Sequence, residues 1–295
     1  MRQIESCLVC GSTTHDLVLK STYSGSAIEA PALFLAQRRV VAHGSIVRCR
    51  DCAFTFTDPQ FEPEDYNQIY REAIQMAPAC SGLSVAERYR GRRLAALLKT
   101  YRTKGLLLDF GCGSGGFLSS IVGFDKIGFE LVITQEHKSA GSLIYTGDFL
   151  GMVGHGPFQP NAFDVVTAFD VFEHLPDLRR YVDALTMLLC PGGLLVITVP
   201  NIESSIAKLI GRYWSSFLLE HLWYFSPDTL KRFVEGFGYR RIGTGGLPYD
   251  VTIDHLFRRA SQTYHLPFYK CFGWLNRAVL PIPVGLMYGV FLKHN

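Results

Sequence analysis

The 295-residue sequence lacks any long apolar run. Its longest uncharged stretch, Ala184 to Ile202, is broken by Pro191, Gly192, Gly193 and Pro200, and the next, Ala278 to Leu292, contains Pro281 and Pro283. Neither reads as a spanning helix of about 20 apolar residues. The opening segment MRQIESCLVC reaches a cysteine pair without an apolar stretch, so no secretory signal is expected and a cytoplasmic protein follows. Charge of one sign is also scarce: the net charge is +3, and the arginine groups at 88, 90, 92, 93 and at 258, 259 read as solvated helix faces. A nucleic-acid partner, which needs a clustered basic surface, is not expected. There is no internal repeat and no low-complexity tract. With 48% apolar and 19% charged residues the chain should fold nearly throughout, as one α/β core with a small accessory module.

Of eight cysteines, four form two CxxC pairs, Cys7 and Cys10 in CLVCG and Cys49 and Cys52 in CRDCAF. Two intervening residues let both thiolates of a tight knuckle face one tetrahedral ion, and Gly11 permits the turn. Neither pair opens a helix after a βαβ-type strand, which disfavours a redox role. The expectation is a zinc-binding module over residues 1–62, with His15 and His43 as substitute ligands. Four thiolates leave no open coordination position, so the zinc would be structural.

Residues 63–104 read as a linker with helices: DPQFEPEDYNQIYREA becomes helical through Tyr66, Ile69 and Tyr70, and Leu94, Leu97, Leu98 and Tyr101 follow the helical period. From 105 to 295 short apolar runs alternate with helical stretches, which predicts a parallel sheet with crossover helices. Strands are expected at Leu106–Phe110, Lys126–Glu130, Leu143–Thr146, Asp164–Phe169, Leu194–Val199, Tyr239–Gly243 and Met287–Leu292.

The segment LLLDFGCGSGGF sets Asp109, Gly111, Gly113, Gly115 and Gly116 directly after a buried strand, where glycines let backbone approach a ligand. The Lys-Ser/Thr of a P-loop is missing, and Asp109 would repel a pyrophosphate but suits an ammonium. Glu130 ends the second strand about 20 residues beyond Gly111, where a carboxylate can accept both ribose hydroxyls. Asp148 follows the third strand, and FDVVTAFDVFEHLPD with CPGGLLVITVPN supplies the fourth and fifth. This ordered set resembles class I S-adenosylmethionine-dependent methyltransferases over roughly residues 84 to 245. The resemblance implies a doubly wound, mostly parallel seven-stranded sheet of order 3-2-1-4-5-7-6 with strand seven antiparallel. It further implies that Asp109, Gly111 and Gly113 contact S-adenosylmethionine, Glu130 its ribose, Asp148 its adenine, and that Asp170 lines the methionine side. The helix after the glycines looks short. NAD competes, because Gly111, Gly113 and Gly116 satisfy GxGxxG, but Asp109 and FEHLPD argue against a dinucleotide.

The fourth strand ends in Asp170-Val171-Phe172-Glu173 rather than a DPPY-like motif, which disfavours base N-methylation. After the fifth strand, EHLWYFS resembles a motif of sugar C-methyltransferases, which also begin with a four-cysteine zinc module. That resemblance implies His221 as general base with Glu220 orienting it, and a small-molecule acceptor, a sugar or lipid-linked sugar precursor, methylated at carbon or oxygen. His174 in FEHLPD reads as a helix-start residue near the cofactor. That sugar family carries a further C-terminal domain; here only about fifty residues follow. An RNA methyltransferase and a non-catalytic S-adenosylmethionine-binding protein stay open as alternatives. In an apolar insertion near 253–284, Phe268, Phe272, Leu275 and Val279 fall on one helical face, which would either meet a membrane peripherally or pack on the core before the last strand.

Overall fold

The computed structural model describes residues 1–25, 29–34, 42–76, 83–132, 143–253 and 278–294. Three short N-terminal strands, β1 (His15–Leu19), β2 (Ile46–Cys49) and β3 (Thr55–Thr57), precede two helices, α1 (Pro63–Met76) and α2 (Val85–Lys99). The α2 start is fixed by a reciprocal capping box: Ser84 accepts from the Glu87 backbone N–H while the Glu87 carboxylate accepts from the Ser84 N–H.

The larger unit then runs β4 (Gly105–Phe110), α3 (Gly116–Ser120), β5 (Phe124–Glu130), β6 (Leu143–Thr146), α4 (Phe149–Met152), β7 (Phe163–Phe169), α5 (Leu178–Leu188) and β8 (Leu189–Pro200). It closes with α6 (Ser205–Ile210), β9 (Trp223–Tyr224), α7 (Pro227–Glu235), β10 (Tyr239–Thr252) and β11 (Val279–Lys293). Seven of these strands form one sheet in the order β10-β11-β8-β7-β4-β5-β6. The pairs among β8, β7, β4, β5 and β6 are parallel, and β11 is antiparallel to both neighbours. In chain order this is the expected topology. The central strands read as continuous apolar runs because both faces are covered: Leu107, Leu108, Val165, Val166, Leu195 and Ile197 are fully buried. The short α3 lies close to α2 because Gly91 leaves room; a Cβ there would strike the backbone of Gly116.

Three strands differ from the sequence expectation by more than two residues. β8 begins at Leu189 rather than Leu194, and the Pro-Gly-Gly expected as a turn is absorbed as an irregularity of register between Phe163 and Val165 of its partner. β10 extends to Thr252 and β11 starts at Val279, so residues 279–284 of the expected helical insertion are strand, of which Val279 to Ile282 pair with Thr252 to Tyr249. Pro281 and Pro283 are tolerated because this arm of the hairpin extends past the end of β8, where β11 has no ladder on its second side. Residues 254–277, with Phe268, Phe272 and Leu275, lie outside the described residues.

The N-terminal strands do not form a closed unit. Their sheet has the order β1-β2-β3-β9, and β9 comes from the EHLWYFS segment of the larger unit. Phe54 stacks on Trp223 at 6.2 Å and meets Phe225 at 5.0 Å, and all three belong to the same buried cluster as Phe110, Leu195 and Ile197. One apolar core therefore joins both sheets. Phe56, 1% exposed inside it, makes a direct test: Phe56→Ala should cost about 3–5 kcal/mol. The loss should appear as a lower midpoint of a single denaturation transition. Two separate transitions in the wild type, with the substitution moving only the first, would contradict a shared core.

Candidate functional site

The strand β4 ends at Phe110, and the chain turns at Gly111 with φ of +75°, where any side chain would run into Val171. Gly113 has φ of +51° and open space where a Cβ would stand, so its backbone borders a cavity directly. The loop is held from the neighbouring strand: one Glu130 oxygen accepts from the Gly113 N–H at 2.7 Å and the other from the Leu131 N–H at 2.9 Å. Asp170 leaves β7 with φ of +57°, a conformation that Asp adopts more readily than most residues. Its Oδ1 accepts from the Thr198 hydroxyl at 2.7 Å, and its other oxygen pairs with Arg90 of α2.

These loops surround a cavity of about 440 Å³ at the carboxyl ends of β4, β5, β6 and β7. Gly111, Gly113, Glu130, Asp148 and Asp170 all line it. Asp148 precedes α4 but makes no capping bond, so its side chain serves the cavity wall rather than the helix. Asp109 stands behind the wall, 2% exposed, accepting from the Thr167 hydroxyl at 2.7 Å. Burial, reinforced by the Glu130 charge and opposed by the Thr167 bond, pushes its carboxyl up to about 7.

The far wall is made by elements whose role the sequence did not disclose. Tyr66, Asn67, Tyr70 and Arg71 of α1 border the cavity, together with Tyr181 of α5. The aromatic spacing of Tyr66 and Tyr70 marks a helix but not what the helix covers. His174 also lines the cavity, from a single 3-10 turn at Phe172–His174. His221, 7% exposed, is set behind it, the two imidazoles 4.7 Å apart and nearly perpendicular. His174 Nδ1 lies 3.1 Å from the Glu220 carbonyl and His221 Nδ1 lies 2.7 Å from the Ser216 carbonyl. A carbonyl can only accept, so each Nδ1 carries the proton. Burial holds His174 down to about 4 and His221 well below the ordinary imidazole value, the latter helped by repulsion from His174. Both are neutral at pH 7. The Glu220 and His221 side chains do not border the cavity themselves; Glu220 sits beneath α1, its carbonyl also accepting from the Tyr66 hydroxyl at 2.6 Å.

The four N-terminal cysteines come together. Cys7 Sγ is 3.5 Å from Cys52 Sγ, Cys10 Sγ is 3.6 Å from Cys49 Sγ, and all four sulfurs lie within 4.8 Å of one another. A tetrahedral zinc thiolate site has edges of about 3.8 Å, so the donors suit such an ion. His15 instead faces Asp58 at 3.3 Å, and His43 Nδ1 meets the Gly44 carbonyl.

A family model described as a methyltransferase domain matches residues 84–242. The chain belongs to this methyltransferase family. A ubiquinone biosynthesis O-methyltransferase of Rattus norvegicus is 28% identical over 163 residues, covering 49% of this chain and 47% of the relative. One from Burkholderia pseudomallei is 25% identical over 158 residues, covering 48% and 68%. The chain thus spans about half the length of the rat relative. Among solved structures, an S-adenosylmethionine-dependent methyltransferase from Archaeoglobus fulgidus is similar at TM-score 0.49 and 21% identity, covering 70% of this chain and 94% of that one.

For a chain of this methyltransferase family the implied cofactor is S-adenosylmethionine, and the residues lining the cavity fit it. The volume is in the range of small-molecule sites. Bare glycine backbone, an acid at the end of β5 and an apolar recess where Phe110 and Phe149 rings stand 4.6 Å apart match a nucleoside with a charged tail. Two outcomes follow. Glu130→Ala, which removes a charged acceptor and unties Gly113, should weaken S-adenosylhomocysteine binding by about 1.5–3 kcal/mol in calorimetry; unchanged affinity would refute the placement. Asp109, with its folded pKa raised from 3.8 to about 7, contributes stability below about pH 4 that is lost as pH rises through 7. In cofactor-free protein Asp109→Asn should therefore gain melting temperature relative to wild type as pH rises from 5 to 8, and a pH-independent difference would count against a buried, raised carboxyl.

Proposed function

We propose that the chain transfers the methyl group of S-adenosylmethionine to a small-molecule acceptor, a sugar or lipid-linked sugar precursor, at an oxygen or at a carbon beside a keto group. The supporting observation is the histidine pair at the inner wall of the cofactor cavity: His174 borders the space and His221 backs it. When bound, the cofactor supplies an electrophilic sulfonium methyl, and an acceptor atom in line with it must lose a proton as the bond forms. The protein's part is placement and charge. Glu130 holds the ribose, Asp148 meets the adenine amino group, and Gly111, Gly113 and Asp170 border the amino-acid end, with Asp109 behind them.

At the histidine wall the acceptor gives up its proton. His221 was the sequence candidate for the base, with Glu220 beside it; the geometry favours His174 as the member facing the acceptor. His221 fixes its orientation from behind, and the Glu220 carbonyl fixes its tautomer. The curated relatives are named as O-methyltransferases, which supports an oxygen acceptor. Tyr66 and Tyr70 over this wall would exclude water once the acceptor is seated.

The reading is tested by following S-adenosylmethionine turnover against a panel of nucleotide sugars and phenolic acceptors, with the product resolved as C- or O-methylated by NMR. With an acceptor in hand, His174→Ala and His221→Ala should each lose about 10²–10⁴ in turnover while cofactor affinity stays nearly constant. Near-wild-type turnover in both, under conditions where chemistry limits the rate, would move proton removal elsewhere.

The cysteine cluster we read as a structural zinc site. Its place in the fold ties it to this wall: the second knuckle leads into β3, where Thr57 donates its hydroxyl to the His221 carbonyl at 2.9 Å and its N–H to the Leu222 carbonyl at 2.9 Å. Because metal binding and local folding are coupled, chelation should loosen β3 and expose Trp223. A red-shifted tryptophan emission, reversed by added zinc, is the expected signal; emission and turnover insensitive to complete metal removal would leave the cysteines without this role.

A further inference from the structure

A second cavity, of about 170 Å³, is bordered by Leu219 and Leu222, the residues that flank Glu220 and His221. Among the described residues none lines both this space and the cofactor cavity. One ordered water needs about 10–15 Å³ and a drug-sized ligand about 300 Å³ or more, so the space suits a single ring.

Its walls are of two kinds. Tyr23 and Phe61, edge to face at 6.2 Å, join Leu219 and Leu222 as apolar surface. Ser45 and Gln60 supply polar groups. Gln60 is 1% exposed, and both its main-chain groups are taken by Arg2, at 2.7 and 2.9 Å. Its Nε2 donates to the Thr57 carbonyl at 3.1 Å. A carbonyl can only accept, so the amide orientation is settled, and among the described residues Oε1 is left without a partner. A buried acceptor in that condition calls for an N–H or O–H donor. Ser45 Oγ accepts from the Ser21 N–H at 3.3 Å, which leaves its own proton to give. No acidic, basic or imidazole side chain is among the described residues lining the space, so a charged ligand would lose its hydration without meeting a counter-charge.

The wall is also fixed. The Thr22 N–H donates to the His43 carbonyl and the His43 N–H to the Thr22 hydroxyl, each at 3.0 Å, which ties the Tyr23 side of the cavity to the Ser45 side. A sugar ring offers what these walls ask for: hydroxyls that donate and accept around its edge, and C–H faces that pack on aromatic rings.

We propose that this cavity is a second ligand site, taking one neutral sugar ring through Gln60 and Ser45, with Tyr23 and Phe61 against its apolar face. Its occupant would touch Leu219, Leu222 and Thr57, and Thr57 already holds the His221 carbonyl. A bound ring therefore steadies the segment that backs the histidine wall. Any consequence for turnover rests on the methyl-transfer reading above; binding of the ring does not.

The test uses the full chain with isotope-labelled leucine methyl groups, titrated with glucose, galactose, rhamnose and N-acetylglucosamine. A ligand of about twelve heavy atoms should bind in the millimolar range. At least one sugar should shift Leu219 and Leu222, and Gln60→Leu should weaken that response about tenfold. No shift with any of the four, shifts confined to Leu175 in the cofactor cavity, or an equal response in Gln60→Leu would each overturn the site. Should that variant fold poorly, Tyr23→Ala replaces it with the same expectation and the same refuting result. S-adenosylhomocysteine added to the same sample is read at Leu131 and Leu175, so a failure of the methyltransferase reading would show there and not at Leu219 and Leu222.

Discussion

The pairing of β3 with β9 is the contact on which the polar side of the site depends. Only two residues of β9 take part, Trp223 and Tyr224 against Phe56 and Thr55. The segment before them is then fastened at both edges, by Thr57 on the N-terminal side and by the Glu173 carbonyl on the other. Glu220, His221 and Leu222 carry polar backbone into a buried place, and such groups are retained only when they are hydrogen-bonded. The clamp meets that demand. It also fixes His221 behind His174, and through the Glu220 carbonyl it fixes the His174 tautomer. The N-terminal cysteine module thereby becomes part of the inner wall of the cavity rather than an appendage.

A second constraint acts on charge. Asp109, Glu130 and Glu173 are all largely withdrawn from water within one region, and each is managed differently. Thr167 supplies one hydroxyl to Asp109, too little to offset burial, so the carboxyl stays raised. Glu130 accepts two backbone N–H groups and ties the glycine loop to its own strand. Glu173 is raised well above the ordinary carboxylate range, by burial first and by the Asp170 charge second. Clusters of acids with perturbed ionisation next to a cavity mark functional ground more often than structural ground. Here the cofactor's cationic groups would lie against the same wall.

Much of the fold was legible from periodicity and from glycine placement. The buried runs around Leu107, Val165 and Leu195 could only be central strands, and the turn at Gly111 needs positive φ whatever surrounds it. The two CxxC pairs fixed which thiols would meet, because two intervening residues set the bite of each knuckle. What failed was the outer arm of the β10–β11 hairpin, beyond Gly243 and before Met287, where Pro248, Pro281, Pro283 and Gly285 interrupt the run and β11 before Leu286 has no second ladder.

From the amino-acid order alone came the strand sequence, the glycine turn, the acids at the strand ends and the four cysteines, all features set by local backbone geometry or short spacing. Only the tertiary structure could decide that Asp109 lies behind the cavity, that α1 covers it, and that His174 rather than His221 borders it. Nor could spacing reveal Glu173 beside two histidines from distant segments. Those outcomes depend on which faces the packed core excludes from water, and that is settled by contacts between segments whose separation along the chain carries no record of their meeting.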